Sequence, residues 1–477
     1  MSALSRREFV RWAALTGGTA IVAACAPRPA VESTAAPTQP PPPTVDVSAT
    51  KAAAVAQTAE AEIAIQAKKD EEAKKILEMD ADQFNAYLEE NKAKAVAEGK
   101  TIIEFLSAYG TIVEDKTQPH IWIMRDFMAR NPDIYVQYTP SSAGTCLALD
   151  DLLAAHPVCN KGAIEKSAWA AVTWRGKTYG VPINGSMAAM FYNVGILREL
   201  GIPTERDELP KTLDEVRALS AKIVKYENGA LKLCGDTPWA ASWAWPSMTV
   251  ANGGGLWDGE KYTINHPKNA ELISYWIDWI DEMYGGDIDK LNAQGSFSSA
   301  YPGSLFANKI QAFMGEGLWA LTHYPPEIEL EIGPMPIGPS GSRPATSNWP
   351  NLMFIPTGAK HVQEAFELIA YYATEGQVEW WNRWSDVPYW TEFPTDVAPQ
   401  DLIARVGEEK ALELTKFARE YASEIVIQWN SPIDDFATDE IFRAVDQALH
   451  KQVEPQAALD QAQQIVQAKL EETLVSA

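Results

Sequence analysis

Residues 174–193 read Trp174-Arg175-Gly176-Lys177-Thr178-Tyr179-Gly180-Val181-Pro182-Ile183-Asn184-Gly185-Ser186-Met187-Ala188-Ala189-Met190-Phe191-Tyr192-Asn193. From Tyr179 onward the run is apolar and predicts a long extended segment, and the residues after it predict a helix over 194–200. Strand and helix signals alternate on both sides. Thr101-Ile102-Ile103-Glu104-Phe105-Leu106 predicts a buried strand, 121–130 a helix, and 134–138 a second strand after the Asn131-Pro132-Asp133 turn. Downstream, a helix over 211–226 opens on a Thr212/Glu215 capping box. An amphipathic helix is expected over 269–284, strands over 310–314 and 352–356, and helices over 361–374 and within 439–472. Such alternation implies an α/β fold. The stretch 100–477 is long for a single core, so two lobes are expected.

The N-terminus reads as an address. Ser5-Arg6-Arg7-Glu8-Phe9-Val10 has the twin-arginine pattern of bacterial export signals. The apolar stretch 12–24 is too short and too rich in Gly and Ala for a stable membrane span. It ends Val22-Ala23-Ala24-Cys25, a lipobox-like sequence that predicts removal of 1–24 and lipidation of Cys25. A signal, an anchor and an extracytoplasmic body follow from that reading. Residues 25–58 are rich in Ala, Pro and Thr, with Pro40-Pro41-Pro42-Pro43 at the centre, and predict an extended linker. Residues 59–99 change to Ala, Glu, Lys and Gln with scattered apolar side chains. They predict a helical spacer, solvated or docked on the body.

A formal charge of −24 argues against nucleic acid as a partner, because phosphates would be repelled. Beyond Cys25 there are three cysteines, of which Cys146 and Cys159 are close enough in sequence to pair. Catalytic and cofactor signatures are missing: no His-Glu-x-x-His, no Gly-x-Ser-x-Gly, no phosphate loop, and six histidines without ligand spacing. No metal and no cofactor is expected. A pair of facing carboxylates, as a glycosidase needs, is not signalled by the sequence.

Several blocks, in order, resemble the extracellular solute-binding proteins of ABC importers, the carbohydrate-type family 1. They are the Gly176-Lys177-Thr178-Tyr179-Gly180-Val181-Pro182 segment with Met190-Phe191-Tyr192-Asn193 after it, then Leu197-Arg198-Glu199-Leu200-Gly201-Ile202-Pro203. Phe306 to Ala320, containing Gly317-Leu318-Trp319, follows, and Gly333-Pro334-Met335-Pro336 and Ala365 to Tyr371 complete the set. One departure is visible: only 139–173 fills a gap that is longer in the family, so contacts supplied there are not carried over. The resemblance implies a two-lobed periplasmic-binding-protein-like fold of type II that closes on its ligand by hinge motion. The first lobe would hold about 100–186 and 352–380, the second about 187–347 and 381–477. It also implies a small-molecule ligand, a sugar in this carbohydrate-type family, a permease partner, and action as a monomer without catalysis. The alternatives are an anchored glycoside-processing enzyme or sensory adaptor, and a binding protein for a polyamine or peptide.

Seventeen tryptophans give the candidate site. An indole face covers the C–H face of a sugar ring, while polar side chains satisfy the hydroxyls at its rim. Trp319, Trp239, Trp243, Trp257, Trp349 and Trp384 are candidate ligand contacts, with Asn184, Asn348 and Tyr109 as polar partners. Trp276, Trp279, Trp380 and Trp381 are expected in the core. A cationic ligand would instead need carboxylates between aromatics, a role Asp386 was positioned by sequence to fill.

Overall fold

The computed structural model describes residues 47–107, 119–140, 146–241, 244–394, 396–421, 425–426 and 431–476. The twin arginines, Cys25, Tyr109 and Trp243 lie outside the described residues. A first unit ends at Ile65 and a second runs from Gln66 to Ala477. Of the first, the described part is helical: the helix Val47–Glu78 begins inside the segment expected to be extended. The physical reason is composition, since Ala52-Ala53-Ala54-Val55-Ala56 follows the prolines and alanine is the strongest helix former.

The second unit has two lobes. In the first, β1 (Thr101–Ser107) and β2 (Ile134–Pro140) pair in parallel, Thr101 opposite Ile134, with the helix Pro119–Arg130 as the crossover. Their core takes in Ile103, Phe105, Ile121, Phe127 and Val136. It also takes in Ile76, Ala81, Phe84 and Ala95, so the C-terminal part of the expected spacer is built into this lobe. Asp80 starts the helix Ala81–Glu90 with a capping box to Gln83, which turns Phe84 onto the core where it is fully buried.

The long segment is β3 (Gly180–Asn193), buried along its whole length. Val181 and Ile183 belong to the first core. Beyond them the strand enters the second lobe and packs on both faces with period two. Ala188, Met190 and Tyr192 face one cluster, and Met187, Ala189 and Phe191 face another. A strand buried on both sides reads as a continuous apolar run, which is why this segment showed no alternation. β4 (Phe313–Gly317) and β5 (Leu330–Gly333) pair with its second half. β4 starts later than expected because Lys309 turns at a φ of 60° and Ile310 is still bonded back to Leu305.

Two further strands cross beside β3. β6 (Thr346–Phe354) runs antiparallel to it, Trp349 opposite Ser186, with an irregularity between Asn351 and Leu352. β7 (Val387–Pro388) lies on the other edge, Val387 opposite Gly185. The third crossing falls later than the sequence indicated: Tyr389 is still in the first core, and Ala398 is in the second lobe. Cys146, Cys159 and Cys234 form no disulfide with one another. Among the described residues no helix is long and apolar enough to cross a membrane.

Candidate functional site

The site is built where β3, β6 and β7 pass between the lobes. β4 ends at Gly317 and a 3-10 turn, Leu318–Thr322, follows. Trp319 folds back over Gly317 so closely that a Cβ at Gly317 would overlap its ring. The glycine is therefore required by contact, and it fixes the direction of the indole. Trp319 meets Trp349 edge to face, with centroids 6.2 Å apart at 90°. Both are half-buried, so each keeps part of its ring surface open. The backbone N–H of Trp319 donates to Ser186 Oγ at 3.1 Å.

Next to this pair, Asn348 Nδ2 donates to Tyr389 Oη, and Asn348 Oδ1 is buried with no partner among the described residues. Gly185 faces the same spot: a Cβ there would overlap Tyr389 Oη. Burial pushes the Tyr389 phenol up, so it is a neutral hydroxyl at physiological pH. Trp384 lies edge to face with His323 at 5.3 Å and with Trp380 at 6.2 Å. His323 Nδ1 is 3.0 Å from the Trp319 carbonyl oxygen. Trp319, Trp349, Asn348 and Trp384 thus all lie at the crossing or one contact from it.

Three expected contacts are placed differently. Asn184 is fully buried; it donates to Gln377 Oε1 at 2.9 Å and accepts from Asn351 Nδ2 at 2.7 Å, so it ties the crossing segments together. Trp239 packs edge-on against Trp279 and Tyr284 in the second-lobe core, 5% exposed. The cavity it lines with Trp245, Trp276 and Phe442 is about 90 Å³, well below the roughly 300–1,000 Å³ of small-molecule sites. Trp257 packs on Tyr262 at 4.9 Å across an isolated β-bridge.

Asp386 is corrected as well. It is 3% exposed and accepts from Trp380 Nε1 at 2.9 Å and from Asn351 Nδ2 at 3.2 Å. Burial raises its pKa to about 6 against the lowering effect of these bonds. A carboxylate so enclosed is not offered to a cationic ligand. Glu316, beside Trp319 in sequence, is likewise buried, accepting from Gly317 N–H at 2.8 Å and Ala300 N–H at 2.9 Å, with its pKa raised to about 7 by burial. Asn351 and Gln377 are the members that residue type alone did not reveal. Among the described residues no cluster of His, Cys, Asp and Glu is arranged to hold a metal.

The family model of bacterial extracellular solute-binding proteins matches residues 141–379, half of the chain. The chain belongs to that family, whose members are binding proteins acting outside the cytoplasm. Among solved structures, CpMnBP1 with mannotriose bound is 18% identical with a TM-score of 0.64, covering 76% of this chain and 99% of that one. Lmo0181 from Listeria monocytogenes, in complex with cycloalternan, is 16% identical with a TM-score of 0.60, covering 79% and 99%. UgpB from Mycobacterium tuberculosis, in complex with glycerophosphocholine, is 16% identical with a TM-score of 0.59, covering 79% and 100%. At these identities the likeness establishes the two-lobed fold. Curated proteins contain no match by sequence.

Proposed function

We propose that this chain is the lipid-anchored binding component of an ABC importer, which closes its two lobes on a mono- or oligosaccharide and presents it to the permease. The observation that carries the reading is the Trp319–Trp349 pair, set at right angles beside the crossing strands with part of each ring open. Two perpendicular indoles cover the C–H faces of a sugar. Sugars bound in CpMnBP1 and Lmo0181 support the same class of ligand. Cys25 anchors the chain to the outer face of the membrane after the twin-arginine signal is removed. It acts as a monomer, by binding and not by turnover.

The test is a thermal-shift panel of mono- and oligosaccharides, polyamines, peptides and glycerophosphodiesters on the purified protein. A ligand of the folded state stabilises it by about 2.7 kcal/mol at a hundredfold excess over Kd. A shift with a sugar, lost in Trp319→Ala and unaccompanied by product, is the expected result. A shift confined to polyamines or peptides would overturn the substrate class, and release of product from a glycoside would overturn the binding role.

A further inference from the structure

Residues 296–301 form an irregular segment of the second lobe, and two buried side chains hold it in place. Ser298 N–H donates to Gln311 Oε1 at 2.9 Å, and Gln311 Nε2 donates to Thr237 Oγ1 at 3.2 Å. Ala300 N–H donates to Glu316 Oε2 at 2.9 Å, while Glu316 Oε1 receives the N–H of Gly317 at 2.8 Å. Ser298 itself sits at a φ of 48°, a left-handed conformation that serine adopts at a cost. Directly after these anchors comes Tyr301, which is 41% exposed. Its ring lies 5.9 Å from that of His323, tilted by 49°. His323 closes the 3-10 turn that carries Trp319, and its ring also meets Trp384, a side chain packed on the first-lobe core. Tyr301 therefore stands at the edge of the crossing, one ring beyond the Trp319 turn. Burying a carboxylate and straining a serine both cost free energy, and an exposed ring returns little of it as stability. Such an ordered loop is better explained by what its tip contacts.

We propose that Tyr301 is a further ligand contact, taking the sugar ring beyond the one on Trp319, and that Glu316 is the positioning residue that holds it there through Ala300. Its functional consequence rests on the reading of Trp319 as a ligand platform. Glu316 suits the role because its two oxygens serve two segments. One receives the N–H at the strand end that leads to Trp319, and the other grips the residue before Tyr301. A phenol face extends the apolar platform of the indoles to a second ring, so the ligand has at least two rings. Glu316→Gln keeps the shape, but one acceptor oxygen replaces two, and its N–H2 group faces an N–H donor. One of the two amides then loses its partner.

The test uses the full-length protein and calorimetry with mannotriose, maltotriose, mannose and glucose. Tyr301→Ala should weaken trisaccharide binding about tenfold, the effect of one aromatic contact, and leave the monosaccharides unchanged. Glu316→Gln should weaken trisaccharide binding about fivefold, the effect of one hydrogen bond. The double variant should bind no more weakly than Tyr301→Ala alone, because both changes remove the same contact. Additive losses overturn the positioning role. Unchanged trisaccharide affinity in Tyr301→Ala, or equal losses for one ring and three, overturns the contact. Fluorine NMR of the ligand-free protein labelled with 3-fluorotyrosine reads the geometry, with Tyr301→Phe identifying its resonance among sixteen. Glu316→Gln should displace that resonance; a merely structural Glu316 would lower the melting temperature and leave it in place. If Glu316→Gln does not fold, hydrogen exchange in the wild type decides, and an Ala300 amide that exchanges as fast as an unbonded one overturns the clamp. If the wild type binds none of the four sugars, the platform reading falls, while the Tyr301 resonance still decides the clamp.

Discussion

Replacing Asp236 by Asn should make the protein more stable at pH 8 while changing little at pH 5. Asp236 is fully buried; its Oδ1 accepts from Thr237 N–H at 2.8 Å, and Oδ2 has no partner among the described residues. Burial raises its pKa to about 7, against the lowering effect of the Thr237 and Gly315 backbone bonds. An acid with its folded pKa above its unfolded value of about 3.9 binds more protons when folded. Its favourable contribution is full below pH ~4 and declines as pH rises through ~7. The slope is about 1.4 kcal/mol per pH unit, so between pH 5 and 8 the decline is on the order of 2.7 kcal/mol. Asn has the same shape and does not titrate, so it keeps the Oδ1 bond and removes that slope. Urea unfolding followed by circular dichroism at pH 5, 6, 7 and 8 gives the comparison. The difference between variant and wild type should grow by ~2–3 kcal/mol over this range, with its bend near pH 7. Taking the difference matters, because His120, pushed down to about 4 by burial, gives the wild type an opposing slope below pH ~6.5. A difference that stays flat from pH 5 to 8 refutes the reasoning, since Asp236 would then be ionised without penalty.

Gly317→Ala should abolish measurable sugar binding by calorimetry, because the added methyl occupies the space under the Trp319 ring; overpacking of this kind also costs about 1–3 kcal/mol. Unchanged affinity would show that Trp319 moves freely. Phe84→Ala should lower unfolding free energy by about 3–5 kcal/mol, since Phe84 is fully buried in the first-lobe core. A loss below ~1 kcal/mol would restore the segment to the role of a solvated spacer. Of the three body thiols, Cys146 is half-buried and Cys159 and Cys234 are fully buried. A maleimide should label Cys146 in the native protein and the other two only after unfolding, as mass spectrometry would show.

The fold was legible in the sequence where local pattern and global position agree. The apolar run after Tyr179 became β3, and Thr212 with Glu215 did start a helix, Leu213–Ile223. Trp319 was legible because Gly317 precedes it: a glycine two residues before a tryptophan at a strand end signals close approach. Asn184 and Asp386 were not, for a physical reason. Asn184 meets Gln377 across 193 residues of chain, and Asp386 meets Asn351 on another strand. No periodicity reports such meetings, so a polar residue on a crossing segment reads as ligand-facing whether it binds ligand or neighbour. Trp239 failed in the opposite way. A Gly- and Trp-rich stretch reads as an exposed loop, yet Trp239 found Trp279 and Tyr284 on an element whose apolar face was already committed to the core.

These placements divide the polar side chains at the crossing into two groups, and the division bears on the ligand. Asn184, Asn351, Gln377, Ser186 and Asp386 are engaged with each other or with backbone, and they hold three strands in register. The Trp319 and Trp349 rings lie half-buried beside this set. None of these side chains is a cation, and the one carboxylate is enclosed by donors. An anionic ligand would find no counter-charge in this set, and a cationic one would have to break the Asp386 bonds to gain one, leaving Trp380 Nε1 buried without an acceptor. Such an orphan costs about 1–3 kcal/mol. A neutral ligand with C–H faces and hydroxyl edges avoids both penalties, because it needs ring surface and a few acceptors only. Among the described side chains named here, a sugar therefore meets fewer penalties than a polyamine or a phosphodiester.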